Sequence, residues 1–160
     1  MTKSTKPIPE GYRTLTSHVV VKDVNQAIEF YKRALGATEI YRMPTPDGKS
    51  VMHAEIKIGD SILMLGQEME GYPNKSAQSL GGSPVGFYLY VTDADQSFKK
   101  AMEAGGKQTQ DMADMFWGDR CGTLVDPFGL QWTIATHVED LSPQEMEERG
   151  KEFFAKNNAA

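Results

Sequence analysis

The sequence is poor in the residues on which several common chemistries depend. It holds a single cysteine, Cys121, so no internal disulfide can form and a reducing compartment is expected. No apolar run reaches the length that spans a bilayer, and the first residues lack a signal peptide's apolar core. A cytoplasmic protein is therefore expected. Positive charge is in deficit: 17 Lys+Arg stand against 22 Asp+Glu, a net charge of −5. That balance argues against nucleic acid or an anionic membrane surface as a partner. There is no Gly-x-Ser-x-Gly elbow, no cysteine cluster and no glycine-rich loop opening a helix. Gly81-Gly82 precedes a strand-like run, the wrong context for a dinucleotide fingerprint.

What is present is an ordinary globular composition, with 39% apolar and 24% charged residues. A chain of 160 residues buries a sizeable core and is expected to form one compact domain in all. The stretch from Trp117 to His137 stands out, because it carries both Trp residues, an Arg, an Asp and the cysteine. Its two β-branched runs are joined by Asp126-Pro-Phe-Gly129, a Pro then a Gly at a tight reversal, and predict a β-hairpin. Such a strand pair is suited to walling a cavity.

Residues 1–13 are rich in Pro and Lys and read as a loose arm. A strand is predicted over 14–21, then a helix over 24–35. Asp23 is its N-cap, Gln26 completes a capping box, Ile28, Tyr31 and Leu35 give helical spacing, and Gly36 ends it. Strands are predicted over 38–43, 51–58 and 61–65. The unit 14–66 thus reads β-α-β-β-β. Residues 67–84 form a linker or mobile loop. A shift of seventy residues carries Val21, Asp23, Gln26, Ala34, Gly36 and Gly59 onto Val91, Asp93, Gln96, Ala104, Gly106 and Gly129. Cap, helix end and turn recur in matching order, which indicates a duplicated unit over 85–137. Ser142-Pro-Gln-Glu145 opens a tail helix within 138–160, expected to pack on the domain or on a partner subunit.

Two β-α-β-β-β units with these motifs resemble the vicinal oxygen chelate superfamily, which includes glyoxalase I, extradiol dioxygenases and bleomycin-resistance-type binding proteins. Val21 to Ala37 resembles its first-helix motif. Val51-Met-His-Ala-Glu55, Trp117-Gly-Asp-Arg120, Asp126-Pro-Phe-Gly129 and Ala135-Thr-His137 resemble its PhnB-like branch. The resemblance implies an α+β fold. Its two units form a curved, barrel-like sheet with helices on the convex face, plus a C-terminal helix. Val19, Val21, Met52, Ile56, Phe87, Leu89, Trp132 and Ile134 would face the helices. Thr16, His18, His53, Glu55, Leu63, Tyr88, Tyr90, Gln131 and Thr133 would line a concave cleft. Relatives commonly dimerise, so a homodimer is expected.

Metal-dependent members carry a His/Glu quartet, whose positions here are Thr16, Leu63 (or Met64), Gly86 and Thr133. None is a competent ligand. No cofactor is therefore expected, although His18, His53 and Glu55 offer a displaced divalent-metal set. The plainer reading is that these three wall a pocket. Cys121 reads as a small buried hydrophobe, and His137 as a strand-end residue. Asp119 and Arg120 either pair with each other or with the tail, or Arg120 binds an anionic ligand group. Trp117, beside Phe116, is rim packing or a stacking lid.

Three functions follow as expectations. The first is binding of a small organic molecule through His18, His53, Glu55, Tyr88, Tyr90, Trp117, Arg120 and Gln131, without the metal quartet. The second is an isomerase, lyase or dioxygenase using Glu55 as general base with His18 and His53. The third is a scaffold whose cleft is vestigial.

Overall fold

A computed structural model describes residues 6–157. The chain divides into two compact units, residues 1–82 and 83–160, and each contains a four-stranded mixed sheet. The boundary falls inside the segment expected to link the repeats.

The first unit runs β1 (Ser17–Val21), α1 (Val24–Leu35), β2 (Thr38–Pro44), β3 (Val51–Ile58) and β4 (Ser61–Gln67). Strand order is β1-β4-β3-β2, with β1 and β4 parallel and the other pairs antiparallel. The helix has the predicted bounds because its ends are set locally. Asp23 accepts the Gln26 N–H at 3.0 Å, and Gly36, at φ 65°, returns its N–H to the Tyr31 carbonyl. Val24, Ala27, Ile28, Tyr31 and Ala34 are buried on one stripe. Against them lie Val21, Ala54, Ile56, Leu63 and Leu65, all at most 4% exposed.

Leu63 therefore belongs to the core, not to the open face where the strand parity had placed it. It pairs with Ile56, whereas Met64 pairs with Glu55 and His18. The turn closes on the Ile58–Ser61 pair, and a one-residue change of register moves every side chain of a strand to the other face.

The linker is partly ordered. A short helix, α2 (Ala77–Leu80), is capped by Ser76. Glu68 accepts the Ser76 N–H at 3.0 Å and the Ser79 hydroxyl at 2.8 Å, and also takes the Ser76 hydroxyl. Ser76 itself is fully buried. This contact ties the helix back to the end of β4.

The second unit repeats the plan: β5 (Gly86–Tyr90), α3 (Ala94–Glu103), β6 (Lys107–Asp114), β7 (Asp119–Val125) and β8 (Gln131–His137), in the order β5-β8-β7-β6. The Asp126 carboxylate closes the β7–β8 turn by accepting the Phe128 and Leu130 N–H groups, each at 2.9 Å. A tail helix, α4 (Pro143–Asn157), starts with a reciprocal Ser142–Glu145 capping box. It packs on its own unit. The Phe116 ring lies 5.4 Å from that of Phe153 and 5.9 Å from that of Phe154, and Gly150 sits against the same ring. A bidentate Arg149–Glu139 pair, at 2.6 and 2.7 Å, fastens the helix to the segment before it.

Candidate functional site

In each unit one sheet face is covered by its helix, and strand alternation sends the remaining side chains to the other, open face. In the first unit the register brings His18, His53, Glu55, Met64 and Gly66 together on that face. The His18 and His53 rings stack with centroids 6.0 Å apart and planes at 17°. Glycine at 66 makes this packing possible, because a Cβ there would stand 3.0 Å from His18 Nε2. Burial and the neighbouring His53 hold the His18 pKa below its ordinary value. His18 is thus biased toward the neutral imidazole.

Glu55 is the centre of this face. Its side chain is 16% exposed, and Oε1 lies 3.4 Å from His53 Nε2. Oε2 accepts the phenolic O–H of Tyr12. That bond pushes the Tyr12 pKa up to about 12, since ionising the phenol would set two anions together. Tyr12 comes from the segment expected to be a loose arm. Residues 1–5 of that arm lie outside the described residues, but Pro7 to Thr14 fold back as one wall of a cavity of about 420 Å³. Its floor includes Thr16, Glu55 and Met64. The arrangement offers an open, partly apolar recess with one carboxylate and the Arg13 side chain on its lining.

The open face of the second unit is organised around Asp119, which is 2% exposed. One carboxylate oxygen accepts the hydroxyls of Tyr88 at 2.8 Å and Tyr90 at 2.9 Å, and the Trp117 indole N–H at 3.2 Å. The other lies 2.8 Å from His137 Nδ1, and His137 Nε2 is 3.1 Å from Asp140. These partners hold the Asp119 pKa below its ordinary value although burial opposes them. Asp119 and Asp140 raise that of His137. Gly118, at φ 92°, presses its Cα against the Glu139 carbonyl and so sets the entry to β7.

The structure brings some of the sequence candidates together and separates others. His18, His53 and Glu55 share one face, and Tyr88, Tyr90 and Trp117 converge on Asp119. Arg120 lies on the opposite face from them, toward α3. Its fork is taken by Asp95, at 2.6 and 2.7 Å, with Asp114 at 3.1 Å. The anticipated pairing with Asp119 or the tail is not made, and no free fork is left on the open face. Alternation along β7 decides this. Gln131 is exposed at the start of β8, beside Gly86. Cys121 is 1% exposed, and burial raises its pKa. His137, read as a strand-end residue, is a member of the Asp119 cluster.

The residues at the quartet positions do not fit a metal. Thr16 donates its hydroxyl to the Arg13 carbonyl at 3.1 Å, Met64 takes the place considered for Leu63, Gly86 has no side chain, and Thr133 bonds Thr123 at 3.1 Å. Among the described residues no three His, Cys, Asp or Glu side chains are grouped so as to hold an ion. The displaced set His18, His53 and Glu55 is not so grouped either, and Glu55 is engaged by Tyr12. Tyr12 and the central place of Asp119 were missed, because neither contact has a local spacing that announces it.

Residues 14–134 match the model of the Glyoxalase/Bleomycin resistance protein/Dioxygenase superfamily. An uncharacterized protein of Mycobacterium bovis is 39% identical over 136 residues, spanning 83% of this chain and 89% of its own. The Arabidopsis thaliana protein At5g48480 is 30% identical over 124 residues, 73% of this chain and 74% of its own. Its crystal structure aligns with a TM-score of 0.63 at 28% identity, covering 78% of this chain and 98% of that one. A glyoxalase/bleomycin resistance protein/dioxygenase from Nocardioides shares the fold, with a TM-score of 0.61 at 24% identity over 82% and 87% of the two chains.

Proposed function

The chain belongs to the glyoxalase/bleomycin resistance protein/dioxygenase superfamily, and on that premise we propose that it binds a small organic molecule on the open face of its first unit, without the metal quartet. The observation that carries this reading is the Glu55 carboxylate at the back of the arm-walled cavity of about 420 Å³. A volume of that size suits a small organic ligand. Ile8, Pro9 and Met64 supply apolar contact, and Glu55 supplies one directional acceptor. The ligand then has an apolar body and a hydrogen-bond donor, and the donor takes the place of the Tyr12 hydroxyl on Glu55. A hydrogen bond to a charged group contributes about 1.5–3 kcal/mol.

A fragment screen by ligand-observed NMR, followed by calorimetry, tests this. Hits carrying a donor lose roughly tenfold or more in affinity in Glu55→Gln, and exhaustive dialysis against a chelator leaves their affinity unchanged. Hits indifferent to Glu55→Gln, or dependent on a metal, overturn the reading.

One observation favours a second reading. His53 Nε2 stands 3.4 Å from Glu55, so a proton taken up by the carboxylate has an adjacent imidazole to pass to. In that reading Glu55 is the general base of an isomerase- or lyase-type reaction. The two readings separate on turnover: a bound fragment that exchanges a carbon-bound proton with solvent in the natural chain, and not in Glu55→Gln, identifies an enzyme. The motif resemblance supports placement in the PhnB-like branch. A cytoplasmic homodimer is part of the proposal, and a single monomer boundary in sedimentation velocity removes the dimer.

A further inference from the structure

The open face of the second unit presents aromatic rings in a manner that core packing does not require. Tyr88 is 45% and Tyr90 60% exposed, although each spends its hydroxyl on a carboxylate beneath. The corresponding positions of the first unit, by register against the last strand, are His18 and Val20. The pair is therefore particular to this unit.

We propose that Tyr88, Tyr90 and Trp117 form a second ligand site, an aromatic platform for an organic ammonium cation, seated over the buried carboxylate of Asp119. Three features support it, independently of the cavity beside Glu55. The first is rigidity. Two hydroxyls and one indole N–H meet at a single carboxylate oxygen, and Trp117 Nε1 also lies 3.2 Å from the Tyr88 hydroxyl. The polar edges are pinned inward while the two tyrosine rings stay part-exposed, so little side-chain freedom is lost on binding.

The second feature is geometry. The Tyr88 and Tyr90 rings have centroids 5.1 Å apart and planes at 47°. A shallow V of that kind lets one alkylated nitrogen lie within about 6 Å of both ring centres.

The third is charge. A phenol donating to a carboxylate gains electron density in its ring, which strengthens its attraction for a cation. His137 is flanked by Asp119 and Asp140. Even with the imidazole protonated the three groups sum to one negative charge. Arg120 is held on the other face by Asp95 and Asp114. An anionic ligand would meet carboxylates here, and a neutral ring would gain nothing from them.

The test uses the full chain and two probes of similar size and shape, tetramethylammonium and the neutral tert-butanol. The indole N–H signals in ¹H–¹⁵N NMR report the site. Trp117 lies in it, whereas Trp132 is 4% exposed with its indole held by Asp126, and serves as control. Tetramethylammonium is expected to shift Trp117 saturably and leave Trp132 in place. It should bind roughly tenfold more tightly than tert-butanol, as a cation–π contribution requires. Tyr90→Leu should weaken it several-fold more than Tyr90→Phe does, since both lose the hydrogen bond to Asp119 and only the leucine loses the ring. Equal responses to cation and alcohol, a motionless Trp117, or equal affinities in Tyr90→Leu and Tyr90→Phe overturn the site. A salt control with sodium chloride that reproduces the shift does so as well.

Discussion

The carboxylate of Asp126 accepts the indole N–H of Trp132 at 2.9 Å, across the turn that both residues frame. Its other oxygen takes two backbone N–H groups of the same turn. Asp126 is 4% exposed and Trp132 also 4%. One side chain thus fixes the turn and the ring that packs 4.6 Å from Phe87. Replacing it leaves buried donors unmatched, each costing about 1–3 kcal/mol. Asp126→Ala should destabilise the chain by about 3 kcal/mol or more, measured by urea unfolding. A loss below about 1 kcal/mol shows that water or a repacked turn replaces the carboxylate.

Glu68 gives the linker a defined acid response. Hydrogen bonds from Ser76 and Ser79 pull its pKa from the ordinary 4.5 down to about 2. A carboxylate depressed in the folded state stabilises above its unfolded pKa, and that contribution is lost as pH falls through the folded value. The stability gap between the natural chain and Glu68→Gln should be constant above about pH 5 and close progressively between pH 4.5 and about 2. Urea midpoints measured across that range check it; a gap that is independent of pH rules out the contribution.

The histidines should titrate in a set order. His18 is held below its ordinary value of 6.5 by burial and by His53. His137 is raised above 6.5 by Asp119 and Asp140. In NMR titration of the ring carbons, His18 should deprotonate at lower pH than His137. The sign for His137 is the reverse of that for Glu68: its contribution is complete below its unfolded pKa and is lost as pH rises through the folded one. Asp119→Asn should bring the His137 midpoint down. An unchanged midpoint means the 2.8 Å contact does not persist in solution.

The Tyr12 hydroxyl ties the described part of the arm to Glu55 of the first unit. Tyr12→Phe removes the donor to Glu55 and keeps the ring. Trypsin cleavage after Arg13 should then quicken roughly tenfold or more, reflecting easier local opening, while global stability changes little. Equal cleavage rates in the two chains show that this bond does not hold the arm.

Legibility in the sequence followed the range of the interaction. Helix α1 was placed to the residue, because Asp23, Gln26 and Gly36 act within a turn of the helix ends. The face of β4 was not, because it depends on how many residues the Gly59-Asp60 turn consumes, and Leu63 and Met64 exchanged roles. The duplication was visible as two caps and two turns. The bond between Tyr12 and Glu55 crosses 43 residues, and that between Tyr88 and Asp119 crosses 31. No spacing rule reaches so far.

The sequence by itself determined the two β-α-β-β-β units and the tail helix, since these follow from caps, alternation and residue identity. The tertiary structure decided which side chains meet: the arm's phenol on Glu55, the rosette on Asp119, and Arg120 turned to the helix side. A strand's period says that two side chains share a face. Only the packing of distant strands and loops brings particular donors and acceptors within 3 Å, because that contact is worth its ordering cost only in the folded chain.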